Sequence, residues 1–448
     1  MHQKSKTLGP TAKVSGEAAR VVVGDETKWV SSEAMNSGTA LLEAALTREN
    51  MVRAWKRVKA NKGSAGVDGM TIQDAVEYLR GHWPKIKESL LDGKYRPAPV
   101  RRVMMPKSDG TERQLGIPTV LDRVIQQALL QVLQPQIDPS FSEHSYGFRP
   151  KRSAHQAVLK AQEYVQSGRV FVVDVDLEKF FDRVNHDVLM SRLERRIGDQ
   201  RVLRLIRRYL QAGILADGMT VDRHEGTPQG GPLSPLLANV LLDEVDRALE
   251  KRGHCFVRYA DDCNVYVRSQ QAGERVMAGL RALYGKLRLK LNEAKSAVAK
   301  ATQRKFLGFS FYRYKGQVKR CVARKAVQAY KARIRQLTRR SDGKSIEQVV
   351  EQLRAYQLGW KNYFRLSETP RVFLELDEWL RHRLRMIHLK HWKRGKTAYA
   401  ALIALKASPS DALKVAQNMG CWWVNSMRRL NRALPISYFD RLGVVRLS

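Results

Sequence analysis

The chain has 448 residues, of which 43% are hydrophobic, and carries a formal net charge of +36. This length exceeds one compact core and predicts roughly two to four domains, while the hydrophobic content excludes a wholly disordered basic tail. No apolar run approaches the roughly 18 residues that a membrane-spanning helix needs.

The charge excess predicts a polyanionic partner. Self-repulsion of this size destabilises a compact state, and counterion release drives binding to nucleic acid. A membrane surface is the second alternative.

The cysteines and histidines argue against a secreted protein and against zinc. Cys255, Cys263, Cys321 and Cys421 form no Cys-x-x-Cys pair, and the N-terminus lacks a signal-peptide core. We therefore expect a protein of a reducing cytosol. Because His391 is the last histidine, a zinc-supported nuclease domain at the C-terminus is not expected.

Residues 1–38 are rich in Gly, Ser, Thr and Lys, which predicts a flexible extension. Helical spacing begins near Ala40. A glycine-rich loop at 61–69, which includes Lys62, follows. Two interpretations of this loop are open: an ordinary surface loop, or a loop that lies against a nucleic-acid strand.

A hairpin is predicted over 101–116, with Asp109-Gly110 as its turn. The apolar stripe over 120–133 predicts a buried helix. Residues 170–176 read as a buried strand, and 202–210 as a helix. A loop is predicted at 226–234, and its last residue, Ser234, is predicted to cap the next helix.

The segment Tyr-Ala-Asp-Asp at 259–262 lies between two runs typical of strands, which predicts a tight hairpin. Its adjacent carboxylates, Asp261 and Asp262, repel each other, so a cation is expected to hold them. Two divalent metals at a polymerase site would do so; the alternative is a polar hairpin tip, since Asp is common in turns. Asp174 and Asp176 end the earlier strand and share a face, so one can complete a three-carboxylate site while the other is structural. Asp182 and Asp187 read as capping or surface residues.

Further strands are predicted at 289–291 and 306–311. From Arg320 the sequence turns to basic helices, and Ser345 to Gln348 matches a capping box. The last part interleaves aromatic and cationic residues. Such surfaces suit nucleic-acid backbones and unstacked bases.

These motifs together resemble the bacterial group II intron reverse transcriptases, also called maturases, of the class that lacks an endonuclease domain. The similarity covers about residues 40–448. The motifs that carry it are the 61–69 loop, Ile117–Thr119, Tyr146–Pro150, Asp176–Asp182, Pro228–Pro235, Tyr259–Asp262, Leu291–Ser296, Phe306–Phe309 and Gly359–Phe364.

The resemblance implies an α/β right-hand polymerase followed by an all-α thumb and a small basic domain. The implied boundaries are a flexible extension at 1–38, fingers and palm at 39–318, a thumb or maturase domain at 319–385 and a DNA-binding domain at 386–448.

The resemblance also implies roles for single residues. Asp176, rather than Asp174, joins Asp261 and Asp262 as the catalytic, metal-binding triad for two Mg²⁺ ions, with Mn²⁺ as a possible substitute. Residues implied at the deoxynucleotide are Lys107, Arg113, Phe181, Gln229 and Lys295. From the residues alone, Phe181 could be a core aromatic, Gln229 part of a turn, and Lys107, Arg113 and Lys295 ordinary surface cations. Residues expected to contact nucleic acid are Lys62, Arg324, Lys325, Lys331, Arg335, Arg339, Arg340, Trp392, Lys393 and Arg394.

The function implied is RNA-directed DNA synthesis for a group II intron, with binding of the intron RNA to promote splicing and retrohoming by target-primed reverse transcription. The expected partners are intron RNA, an RNA template, a DNA primer or target and deoxynucleoside triphosphates, but no membrane. The alternatives are a domesticated reverse transcriptase in DNA repair or defence, and a maturase that only binds RNA and promotes splicing.

Overall fold

The computed structural model describes residues 40–106, 112–216 and 219–448. The N-terminal extension, Lys107 and the predicted turn at 109–110 lie outside these ranges. The helices of the first part are α1 (Leu41–Ala45), α2 (Arg48–Ala60), α3 (Asp74–Leu91), α4 (Val120–Ile137), α5 (Ala154–Gln166), α6 (His186–Glu194), α7 (Gln200–Gln211), α8 (Ser234–Lys251) and α9 (Gln270–Lys286).

Strands alternate with these helices. They are β1 (Val100–Pro106), β2 (Glu112–Ile117), β3 (Phe171–Val175), β4 (Ile214–Ala216), β5 (Met219–Val221), β6 (Cys255–Tyr259), β7 (Asp262–Val267), β8 (Ala297–Lys300), β9 (Lys305–Phe306), β10 (Phe309–Tyr314) and β11 (Gln317–Val322). Short 3-10 helices occur at Asp138–Ser140, Phe180–Asp182 and Ala301–Gln303.

The chain that follows β11 is helical. Its helices are α10 (Arg324–Leu337), α11 (Ile346–Phe364), α12 (Pro370–Trp392), α13 (Gly395–Ala404), α14 (Pro409–Gln417), α15 (Trp422–Val424), α16 (Leu430–Ala433) and α17 (Ile436–Arg441), with a π-helix at Asn425–Arg429.

The central sheet has the strand order β6-β7-β3-β8, with antiparallel neighbours. Because side chains alternate along a strand, its two faces serve two cores. Val173 and Val265 pack into a core with α4 and α6–α9. Val172 and Tyr266 pack on the opposite face with α5, the sheet β11-β10-β9 and α10–α12. The sheet thus joins the first part of the chain to the helical part.

The predicted hairpin over 101–116 is confirmed, since β1 and β2 pair antiparallel from Arg101↔Ile117 to Pro106↔Glu112. β4 adds to it in parallel through Val100↔Ile214, and β5 closes the order β2-β1-β4-β5. The loop after β5 returns to the end of β2, where the Gly116 backbone nitrogen donates to the Gln229 backbone carbonyl at 3.2 Å.

Three local predictions were wrong. Ser234 does not cap α8, because its hydroxyl donates to the Pro228 carbonyl (2.7 Å) and ties down the preceding loop. Residues 289–291 form only an isolated bridge, Leu177↔Leu291. The predicted strand at 306–311 is divided into β9 and β10, because Leu307 and Gly308 adopt positive φ and reverse the chain.

The helix predicted over 120–133 is confirmed as α4, and the capping box at Ser345 is present at the start of α11. The implied domain boundary between 385 and 386 falls within the continuous helix α12. None of the helices in the described ranges has both the length and the apolar character needed to cross a membrane.

Candidate active site

The hairpin of β6 and β7 turns through two residues. Tyr259 pairs with Asp262, so Ala260 and Asp261 form the turn, and Asp262 is already the first residue of β7. Ala260 has a φ of +58°, a left-handed conformation that is uncommon outside glycine and asparagine. The turn therefore needs support from its surroundings.

Part of that support comes from Gly147, whose backbone packs directly under the turn. A Cβ atom at this position would lie 2.2 Å from the Ala260 nitrogen, so only glycine fits. The Gly147 carbonyl accepts a hydrogen bond from the Asn239 amide at 2.9 Å. Gly147 thus has a steric reason to be glycine in the Tyr146–Pro150 motif.

Asp176 lies across the sheet from this turn. β3 and β7 pair through Asp174↔Asn264 and Val175↔Cys263. Asp176 directly follows β3 at the end of the sheet where Asp262 begins β7, and the charge of Asp176 acts on Asp262. Two segments some 85 residues apart along the chain therefore meet at one sheet end.

The carboxylates also act on one another electrostatically. Burial, together with the charges of Asp174, Asp261 and Asp176, raises the pKa of Asp262 to about 8. Such repulsion is relieved by a divalent cation, and carboxylate oxygens are the ligands that Mg²⁺ prefers. Across the described residues, no three His, Cys, Asp or Glu side chains are already gathered into a metal-binding group. The donor chemistry, three carboxylates at one sheet end, therefore fits hard divalent ions.

Asp174 is engaged elsewhere. Its Oδ2 accepts hydrogen bonds from Arg304 Nε (2.8 Å) and pairs with Arg304 Nη2 (2.6 Å). Burial raises the pKa of Asp174, while Arg304 opposes this shift. Asp174 is thus ion-paired, whereas the Asp176 side chain is 39% exposed.

Lys295 forms an ion pair with Asp176, with 3.7 Å between Lys295 Nζ and Asp176 Oδ2. The segment that carries it is fixed to the end of β3. The Asn292 backbone nitrogen donates to the Asp176 carbonyl (2.8 Å), and the Asp176 nitrogen donates to Ser296 Oγ (3.1 Å). The structure therefore brings Lys295, implied at the nucleotide, next to the carboxylate cluster.

Phe181 and Gln229 lie on neighbouring loops. Phe181 is partly buried and meets Phe180 edge to face, with ring centroids 5.1 Å apart, whereas Phe180 is the fully buried partner. Gln229 Nε2 donates to Asp182 Oδ1 at 3.2 Å, and the Gln229 backbone carbonyl accepts from the Gly116 backbone nitrogen at 3.2 Å. These contacts join the 228–235 loop to the 180–182 turn and to the end of β2.

The implied triphosphate cations are less completely described. Lys107 lies outside the described residues. Arg113 is in β2, paired with Met105, which sets its backbone on the hairpin that leads to Gly116.

A buried arginine that was not predicted from the sequence, Arg258, lies beneath the turn. Arg258 is fully buried and pairs with Asp246, which is equally buried. Arg258 also donates to the carbonyl of Ala260 at 2.9 Å. The signal was present in the sequence, because a lone arginine interrupts the apolar strand Cys-Phe-Val-Arg-Tyr and two aspartates interrupt the apolar helix α8.

The residues expected to bind nucleic acid are spread over several elements. Lys62 follows α2, Arg324 and Lys325 begin α10, and all three are exposed. Trp392 is half-buried against two core clusters, which gives it a packing role. Lys393 and Arg394 are exposed between α12 and α13.

Two protein families match this chain. Residues 105–311 match the reverse transcriptases (RNA-dependent DNA polymerases), and residues 327–402 match the group II intron maturase-specific domain. The first match contains Asp176, Asp261 and Asp262. The second begins in α10 and ends in α13.

Two curated relatives are similar over about half of the chain or less. Protein YkfC of Escherichia coli (strain K12) is 36% identical over 230 residues, which cover 50% of this chain and 60% of YkfC. The group II intron-encoded protein LtrA of Lactococcus lactis subsp. cremoris is 38% identical over 195 residues, covering 43% of this chain and 32% of LtrA. The chain thus matches less than two thirds of the length of either relative.

A solved structure titled as a partial Cas6-RT-Cas1–Cas2 complex shows a looser likeness, with a TM-score of 0.36 and 25% sequence identity. The match covers 55% of this chain and 42% of that chain. The two family matches stand in the order that the sequence motifs predicted. A reverse transcriptase domain of fingers and palm is followed by a maturase-specific helical domain, and in these two domains the chain is similar to the group II intron-encoded reverse transcriptases and maturases.

Proposed function

We propose that this chain is an RNA-directed DNA polymerase of a group II intron, which also binds the intron RNA to promote splicing and retrohoming by target-primed reverse transcription. The observation that supports the polymerase most is the meeting of Asp176 with the Asp261–Asp262 turn at one end of the central sheet. Reverse transcriptases as a family use divalent metal ions.

Asp176, Asp261 and Asp262 would hold the metal, two Mg²⁺ ions with Mn²⁺ as a substitute. When bound, such ions would lower the pKa of the primer 3′-hydroxyl and balance the charge of the departing pyrophosphate. The protein's contribution is to fix three carboxylates on two paired strands, so that little reorganisation is needed during the reaction. Asp174 remains with Arg304 and keeps the end of β3 in place.

The neighbouring residues would select and orient the deoxynucleotide. Phe181, one turn beyond β3, would exclude a 2′-hydroxyl by contact, and Gln229 would line the pocket from the opposite loop. Lys107 and Arg113 on the β1–β2 hairpin would clamp the triphosphate. The Lys295 side chain would exchange its contact with Asp176 for one with the pyrophosphate, because both groups are anionic and the lysine side chain is flexible.

The helical part would bind RNA and DNA. We propose the thumb or maturase domain at 319–385 and the DNA-binding domain at 386–448, as the motifs imply. The proposed contacts in these domains are Arg324, Lys325, Lys331, Arg335, Arg339, Arg340, Trp392, Lys393 and Arg394. Lys62 would add a contact from the loop after α2. We also propose membership of the endonuclease-lacking class, so that priming uses existing 3′ ends. Such a protein would act in the bacterial cytoplasm and at the nucleoid.

Primer extension on an RNA template with deoxynucleotides and Mg²⁺ tests the polymerase. Asp261→Ala should lower the rate by roughly 10³-fold or more, because two carboxylates cannot hold both ions in register. Asp187→Ala is the matched control, since Asp187 is 75% exposed and pairs only at the surface with Arg207. If the Asp261 variant extends primers near the normal rate, the triad is misassigned.

Intron splicing, measured with the same variants, separates the two activities. Asp261→Ala should leave splicing intact, because RNA binding by the helical part does not need the carboxylates. Loss of splicing in a folded Asp261 variant would contradict the division of roles.

A further inference from the structure

A strongly cationic cleft lies in the helical part, far along the chain from the carboxylates. It has a volume of about 510 Å³ and is called here the tryptophan–cation cleft. It is lined by Arg339, Arg340, Ser341, Arg383, Lys390 and Trp422. These residues come from the loop after α10, from α12 and from α15, so tertiary folding creates the cleft.

The positive charge of this cleft is not balanced within the described chain. None of its four cations forms an ion pair with any residue in the described ranges. Asp342, the acidic residue nearest in sequence, pairs with Lys344 instead. Burial together with the charges of Arg335 and Arg340 lowers the pKa of Arg383, which reflects cations held close to one another. Such an arrangement favours an external anion.

Tryptophan side chains hold the cations in place. The guanidinium carbon of Arg340 lies 4.6 Å from the ring centre of Trp422, and Lys390 Nζ lies 5.9 Å from it. A second group adjoins the cleft, in which Lys331, Arg335 and Arg383 each lie 5.5 Å from the ring centre of Trp379. These are cation–π distances, and they order long side chains that would otherwise lose entropy on binding a ligand.

Arg383 connects the two groups. Its Nε donates to Thr338 Oγ1 at 2.7 Å, and its Nη2 donates to the Thr338 carbonyl at 3.2 Å. Thr338 is itself buried and ends α10. The Arg383 side chain is thereby oriented, and its remaining donor group is left for a ligand.

We propose that the tryptophan–cation cleft binds the phosphodiester backbone of a nucleic-acid strand, with Trp422 and Trp379 as platforms for the cations and not as stacking partners for bases. The indoles are half-buried and in contact with protein cations, whereas guanidinium groups match phosphate oxygens in pairs. The site should therefore require neither a particular base nor a 2′-hydroxyl. The proposal rests on the nucleic-acid binding of the proposed function but not on polymerisation.

Fluorescence anisotropy on the full chain, without nucleotides, tests this with three labelled oligonucleotides of one length: RNA, DNA of the same sequence, and abasic DNA. The double variant Arg339→Gln/Arg340→Gln should weaken binding roughly ten-fold for all three. The slope of log K against log salt should fall by about 0.7 for each lost phosphate contact. Arg371→Gln, on the same helix as Arg383 but ion-paired with Glu375, is the control and should change neither quantity.

Trp422→Leu should weaken binding of the abasic strand as much as that of the base-bearing strands, because it releases Arg340. If only the base-bearing strands are affected, the indole stacks on bases and the platform role is wrong. If the double arginine variant changes neither affinity nor slope, the cleft does not bind the backbone; both arginines are exposed, so misfolding does not obscure this result. Primer extension run in parallel separates the two proposals. If the protein does not extend primers but its cleft variants still lose affinity for the oligonucleotides, only the polymerase assignment is overturned.

Discussion

The side chains of Arg258 and Asp246 form an ion pair from which solvent is fully excluded, with 2.5 Å between Arg258 Nη2 and Asp246 Oδ2. Arg258 Nη1 completes the arrangement by donating to Asn239 Oδ1 and to the Ala260 carbonyl, both at 2.9 Å. The pair therefore fastens α8 to the residue that precedes Asp261. A buried pair of this kind contributes little net stability, but removal of one partner is costly.

We expect Arg258→Met to destabilise the fold by about 3–5 kcal/mol, because it leaves the Asp246 carboxylate buried without a partner. The double variant Arg258→Met/Asp246→Leu should recover most of this loss, since both charges are removed. Urea unfolding of the two variants measures the difference.

Primer extension by the same double variant should stay depressed by roughly 10²-fold, because the Ala260 carbonyl has lost its donor and the turn shifts. This outcome would assign Arg258 the role of positioning the turn. If the double variant recovered activity together with stability, Arg258 would be a structural residue only.

Gly147→Ala should damage the turn from the opposite side. The new methyl group would lie 2.2 Å from the Ala260 nitrogen, so the backbone must move. We expect a lower melting temperature and a loss of primer extension larger than the loss of stability accounts for. Gly81→Ala is the matched control. Gly81 lies in α3 with open space around it, and alanine there should stabilise by up to about 1 kcal/mol.

The turn was predictable from the sequence, but its support was not. Tyr-Ala-Asp-Asp between two β-rich runs indicates a hairpin by local rules, and the prediction is confirmed because pairing of adjacent strands needs no distant partner. Gly147 and Ala260 lie far apart in the sequence, while Arg258 and Asp246 lie on different elements, a strand and the preceding helix, so neither contact follows from the periodicity of a single element. The parallel pairing of β1 with β4 was hidden for the same reason.

The local errors have a similar origin. Ser234 stands where a helix cap is expected, yet its hydroxyl is taken by the 227–228 loop, a tertiary contact. Leu307 adopts positive φ, which its side chain disfavours, so the break between β9 and β10 could not be inferred from Gly308 alone. Both positions lie in segments whose conformation is set by packing.

Phe181→Val should relax discrimination against ribonucleotides, because a smaller side chain leaves room for a 2′-hydroxyl. In single-nucleotide incorporation, we expect the preference of the variant for deoxynucleotides over ribonucleotides to be at least about ten-fold lower than that of the parent protein. The variant should remain folded, since Phe181 is only partly buried, whereas Phe180→Val should mainly destabilise the core. Unchanged selectivity in a folded Phe181 variant would identify this side chain as core packing.

The stability of the helical part should depend on the charge state of His388. Burial lowers the pKa of His388 to about 4, with a smaller contribution from His391 that Glu347 opposes. Its Nε2 lies 3.2 Å from the Tyr438 hydroxyl, a contact suited to a neutral ring that accepts a hydrogen bond. The folded protein binds a proton at His388 more weakly than the unfolded chain does. The contribution of the neutral His388 ring to stability is therefore complete above pH 6.5 and is lost as the pH falls toward 4.

The loss should reach about 3 kcal/mol at pH 4, of which about 2 kcal/mol has already occurred at pH 5. Urea unfolding at pH 7.5 and pH 5 measures it, with His388→Phe as the comparison. Other buried histidines, among them His186 and His382, also have lowered pKa values, so the parent protein's pH dependence alone does not identify the group. The His388 variant should be less stable at pH 7.5, through the unpaired Tyr438 hydroxyl, but should lose less stability on acidification. An equal loss in both proteins would assign the effect to the other histidines.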